Sequence, residues 1–265
     1  MRMLIAAVLA TFVAPPLHAD EAADALFTAA DIALLGEVHD NPDHHLEQAR
    51  IVTAMQPAAL VFEMLTPAQV TAAEGVDRQD LAALAGALGW ADSGWPDFQI
   101  YAPVFAAAPM AQLYGAGLPR AQARAAYSNG ISESFGDFSE AYGLTKDLPP
   151  DQMQARQTLQ FQAHCEAIPR ENLTPMVALQ RLRDAYLARA AMQALLETGG
   201  PVAVITGNGH ARSDWGATAL IRQLDAEVKV IALGQSEDGQ APDGGFDLII
   251  DSPGVDRGDP CDAFR

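Results

Sequence analysis

The stretch LLGEVHDNPDHH, residues 34–45, ends one kind of pattern and begins another. It also holds His39, His44 and His45, three of the six histidines in the 265-residue chain. The apolar run at 32–35 that leads into it has no polar alternation, which is how a strand covered on both faces reads. Beyond it, Asn41 suits a helix N-cap, Pro42 the first helical position and Asp43 the first turn. A buried strand running directly into a helix predicts an α/β fold, with Gly36, Glu37, Val38 and His39 at the strand's carboxyl end. Ligands of open α/β sheets bind outside such ends.

Similar apolar runs recur at 60–62, 202–205, 228–233 and 246–250, with a weaker one at 112–114. Helical stretches separate most of them, so the sheet is expected to be mostly parallel and flanked by helices. Between 117 and 200 the strand-like runs give way to long helical ones. One is expected to open at Thr174 as cap and Pro175, to stop at Gly199-Gly200, and to bury a stripe of Leu179, Leu182, Tyr186 and Ala190. This divides the chain into an α/β core, 20–116 and 201–265, and a smaller all-helical insertion, 117–200, acting as a lid.

Residues 1–19 read as a secretory signal, with Arg2 at the start, an apolar stretch, a Pro-Pro break and Ala19 before the cut. The apolar stretch, about 11 residues, is short of the roughly 20 that span a bilayer. No cysteine stands near the cut to accept a lipid. These features predict an exported, soluble periplasmic protein. A net charge of −18 makes nucleic acid and anionic membranes poor partners. The two cysteines, Cys165 and Cys261, lack the CxxC spacing of a metal site and are expected to form a bridge pinning the C-terminal tail to a helix.

The chemistry gathers at strand ends. GEVH at 36–39 and GNGH at 207–210 give Gly-x-x-His twice, each straight after an apolar run, while VFEM ends another run on Glu63. If these strands are central, Glu37, His39, Glu63 and His210 converge. Two imidazoles and two carboxylates there can bind a divalent metal such as Zn or Mn, activate water, or serve an iron-porphyrin. Trp95, Phe98, Tyr101 and Phe105 make an aromatic cluster that is either core or a flat apolar wall with Tyr101 nearest the site. Of the pair Arg183-Asp184, Asp184 reads as a surface ion-pair partner, while Arg183 can reach a ligand carboxylate.

LLGEVHDNPDHH, VFEM, WPDFQIYAPVF, QRLRDAYLA and GNGHAR, in that order, resemble the ChaN-type haem-binding uptake family. That family sits in a superfamily with the Tiki metalloproteases, TraB-like proteins and erythromycin-esterase-like enzymes. The resemblance covers about residues 31–250. It implies haem binding in bacterial iron acquisition, with the iron held by a tyrosine oxygen assisted by histidine. Tyr101 is the first choice for that tyrosine, and Tyr127, Tyr142 and Tyr186 are its rivals. Haem propionates are expected on His44 or His45, with Arg183 also at the haem. Glu37, His39, Glu63 and His210 match positions that activate water or bind metal in the superfamily's hydrolases, so a metal-dependent hydrolase is the alternative. An outer-membrane haem or iron receptor system and a homodimer formed on haem binding are the partners expected.

Overall fold

A computed structural model describes residues 19–259, 261 and 262. Apart from Ala19, the expected signal lies outside the described residues. The strands are β1 (Ile32–Glu37), β2 (Ala59–Phe62), β3 (Gln112–Gly115), β4 (Val202–Gly207), β5 (Val230–Glu237) and β6 (Leu248–Ser252). Each apolar run of the sequence became one of them. The helices before β3 are α1 (Ala19–Thr28), α2 (Pro42–Met55), α3 (Pro67–Ala72), α4 (Leu81–Ala87) and α5 (Phe98–Ala107). Between β3 and β4 come α6 (Arg120–Asn129), α7 (Ile131–Phe135), α8 (Pro150–Ala163) and α9 (Leu173–Thr198). After β4 come α10 (Asn208–Ala211) and α11 (Ala217–Leu224).

All strands pair in parallel, in the order β3-β2-β4-β1-β5-β6. Alternate residues feed opposite cores. Ala33 and Leu35 of β1 face a cluster with α2 and α5, whereas Ile32 and Leu34 face one built with α9 and α11. Burial on both faces explains why β1, β2 and β4 read as continuous apolar runs, while β3 and β6, at the sheet edges, are partly exposed. Because the helix after β1 lies on one face and α11, after β4, on the other, the chain diverges between these adjacent strands. A crevice at a topological switch point results.

Asn41 caps α2 as expected, its Oδ1 accepting from the Asp43 N–H at 2.9 Å. Its Nδ2 also donates to Glu237 at 2.6 Å and to the Pro253 carbonyl at 3.0 Å, so the cap ties α2 to the C-terminal segment. The long helix starts at Leu173, just before the expected Thr174 cap, because a 3₁₀ turn over Arg170–Asn172 runs straight into it. The Thr174 hydroxyl instead accepts from Gln157 of α8 at 2.8 Å. Only helices fill 117–200, and α9 lies on the sheet against β2, β3 and β4 while α8 packs along α9. Cys165, just past α8, is bridged to Cys261 with the Cα atoms 5.5 Å apart. Among the described residues, no helix is long and apolar enough to cross a membrane.

Candidate functional site

Parallel register sets Glu37 of β1 beside Gly207 of β4, so the two Gly-x-x-His turns leave the sheet side by side. Gly36 permits this. A Cβ there would lie 2.5 Å from both the Leu233 carbonyl and Asn208 Oδ1. Glu63, one residue past β2, completes the row by accepting from Thr206 Oγ1 at 2.7 Å and the Gly207 N–H at 2.9 Å.

Glu37 is buried and its oxygens are fully engaged. Oε1 lies 2.7 Å from His39 Nδ1 and accepts from the Tyr101 hydroxyl at 2.9 Å, while Oε2 accepts from Gln48 Nε2 at 2.7 Å. The ring of His39 stands edge-on to Trp95, centroids 4.8 Å apart, and its Nε2 is only 2.9 Å from where a Cβ on Gly207 would sit. His210 mirrors this arrangement. Its Nδ1 is 2.6 Å from Asp184 Oδ1 and its Nε2 is 3.6 Å from Glu63 Oε1. Two imidazole–carboxylate pairs therefore flank one shared carboxylate, Glu63.

Burial opposes charge on His210, but Glu63 and Asp184 outweigh it and raise its pKa to about 9. Burial likewise works against Glu63, yet the two histidines and the Gly207 and Thr206 bonds lower its pKa to about 2. His39 stands above its ordinary value because its bond to Glu37 and the charge of Glu63 overcome desolvation. Burial pushes Asp184 up, against the pull of His210.

Two adjoining cavities open here, sharing His39, His210 and Gln180. One, of about 460 Å³, is walled by Leu159, Ala163, Val177 and Trp215 with Arg156 and Gln160. The other, of about 510 Å³, has Trp95, Leu118 and Leu187 with Arg120 and Arg183.

The structure thus brings together Glu37, His39, Glu63 and His210 and sets Arg183 at the cleft, but it places three other expected residues differently. Tyr101 is fully buried, packed on His45 and Trp90, and burial together with Glu37 holds its phenol well above the usual pKa. Offered no path to the cleft, it orients Glu37. His44 is fully buried too and accepts from the Val38 N–H at 2.9 Å through Nδ1, so burial keeps it neutral. His45, equally buried, donates from Nε2 to the His39 carbonyl at 3.0 Å. These histidines brace the turn from within.

The expected divalent-metal set does not form either. Among the described residues, no three His, Cys, Asp or Glu groups gather as a metal site. Sequence reasoning misses Gln48 and Arg156. Asp184, expected as a surface ion-pair partner, lies buried on α9 beside His210. No local signal marks such a partner, and only the packing of α9 on the sheet brings it there.

Fold and site define an α/β protein with a cleft built from twin Gly-x-x-His turns beside the helices of 117–200. A family model described as haem-binding uptake, Tiki superfamily, ChaN matches residues 25–221, and the chain belongs to that family. Among solved structures it is similar to one described as cofacial heme binding to ChaN of Campylobacter jejuni, with a TM-score of 0.65 and 19% identity. That alignment covers 83% of this chain and 87% of the other. The type III effector HopBA1 aligns with a TM-score of 0.46 and 14% identity, over 87% of this chain and 92% of that one. No curated protein matches the chain.

Proposed function

We propose that the protein binds haem in bacterial haem or iron uptake, with the cleft over β1 and β4 as the ligand site. The observation that carries this reading is family membership over residues 25–221. The donor set of the cleft fits it. A porphyrin brings its own ring of nitrogen ligands, so it asks the protein for an axial donor and not for a cage. His39 meets that requirement, since Glu37 at its Nδ1 fixes the ring and strengthens Nε2 as a ligand. None of the described tyrosines lines either cavity. Leu159, Val177 and Trp215 offer apolar wall, and burying apolar surface contributes about 25 cal/mol per Å². Haem is anionic and the chain carries −18, so Arg156, Arg183 and Arg120 at the cleft supply the local attraction.

Titrating the purified chain with hemin tests this. A saturable Soret shift that weakens at least tenfold in His39→Ala is expected, and an unchanged Soret band would overturn the reading. A homodimer forming on haem would appear as a doubled mass in sedimentation with hemin. Export to the periplasm rests on the signal-like residues 1–19 and is supported by the Cys165–Cys261 bridge, which suits an oxidising compartment. An outer-membrane haem or iron receptor system is the partner proposed with it.

The paired imidazole–carboxylate groups around Glu63 favour a second reading, the hydrolase expected of the two Gly-x-x-His turns, with His210, protonated at neutral pH by its pKa of about 9, placed to donate a proton. Turnover of simple esters abolished by both His39→Ala and His210→Ala would support it, and the absence of turnover would exclude it for that class.

A further inference from the structure

Arg156 of α8 is only 9% exposed, yet no carboxylate of the described residues lies within ion-pair distance of it. Its one hydrogen bond within the protein is a long one, Nη2 to Gln152 Oε1 at 3.4 Å, and its Nε has no partner. The nearby Asp184 is committed to His210, and Asp214 to Arg212. The guanidinium lies 5.0 Å from the centre of the Trp215 ring, whose closer cation, at 3.7 Å, is the already paired Arg212. A cation buried without a counterion is costly, and burial lowers its pKa to about 10, so it still carries its charge at neutral pH. The Oε1 atoms of Gln160 and Gln180 are also buried without partners, and all three side chains line the same 460 Å³ cavity. Either amide can turn to present its NH₂.

The same cavity carries the carboxylates of Glu37 and Asp184, each bonded to a histidine, and the exposed Asp243, but its apolar wall of Leu159, Ala163, Val177 and Trp215 and its three unsatisfied polar groups describe a receptor for an anionic group on a greasy body. We propose that Arg156 receives a carboxylate of the cleft's ligand, with Gln160 and Gln180 completing its hydrogen bonds. This deepens the haem reading and rests on it for the ligand's identity, the carboxylate then being a propionate. The fork of a guanidinium suits a carboxylate. The apolar lining favours an organic acid over free phosphate.

The test uses iron-free protoporphyrin and its dimethyl ester, titrated into the full chain and followed by tryptophan quenching and calorimetry. The free acid should bind about tenfold tighter than the ester, as one charge-assisted contact of this kind implies. Arg156→Gln should remove that preference and Arg156→Lys restore part of it. The ligand-free Tm of Arg156→Gln should not fall below that of the parent, because an unpaired buried charge has been removed. Equal binding of acid and ester by the parent chain, a preference that survives in Arg156→Gln, or no binding of either porphyrin would each overturn the proposal. A preference for the acid without a Soret shift on adding hemin would overturn the haem reading while leaving the carboxylate receptor standing. A Soret shift without that preference would do the reverse.

Discussion

Gly207 fixes where His39 can stand. Its φ of −63° suits any residue, so Gly207→Ala is expected to fold with little loss of Tm, but the added methyl would sit 2.9 Å from His39 Nε2 and turn the imidazole aside. A hemin titration should then show affinity reduced about as far as in His39→Ala, and unchanged affinity would exclude His39 as the iron donor. His210 gives a pH signature. Its pKa rises from 6.5 unfolded to about 9 folded, so its contribution to stability is complete below about pH 6.5 and is lost as pH rises through about 9. Thermal unfolding followed from pH 6 to 10 should show that decline, and His210→Gln should flatten it. Glu37, His39, Glu63 and His210 were legible because their spacing from apolar runs is a local property. Asp184 and Arg156 were not, since each owes its role to a helix packed from far along the chain. Tyr101, 64 positions from Glu37, reaches that carboxylate from within the core, which no local pattern shows.

In β1 the glycine before Glu37 is a contact as much as a residue. A methyl on Gly36 would meet the β5 backbone at Leu233, which cannot yield like a flexible side chain. Gly36→Ala should therefore lose about 1–3 kcal/mol of stability in denaturant unfolding. Asn41→Ala removes the α2 cap together with the bonds to Glu237 and Pro253, and at least about 1 kcal/mol should go with it. The central strands β1, β2 and β4 showed most clearly in the sequence because both their faces are buried, whereas the edge strand β3, with an exposed Gln112, read as the weaker run. Helix starts were readable where proline and asparagine set them, as at α2. The start of α9 was not, because Thr174 uses its hydroxyl to join α8.

Across the whole molecule, the order β3-β2-β4-β1-β5-β6 matters most, since it puts β4 beside β1 and so brings together two histidines 171 positions apart in the chain. That adjacency was an inference from matching motifs, and no local pattern encodes it. The helical segment was readable as a break in strand pattern, whereas its intimacy with the sheet through α9 came only from packing. The bridge from Cys165 to Cys261 joins the helix carrying Arg156 to a tail whose Arg257 grips Asp40, beside His39, and Glu237. A clasp therefore runs from the cleft's cover to its floor outside the sheet. With both cysteines changed to serine, amide hydrogens of α8 should exchange faster than those of β1, and porphyrin should escape sooner even where its equilibrium contacts are intact.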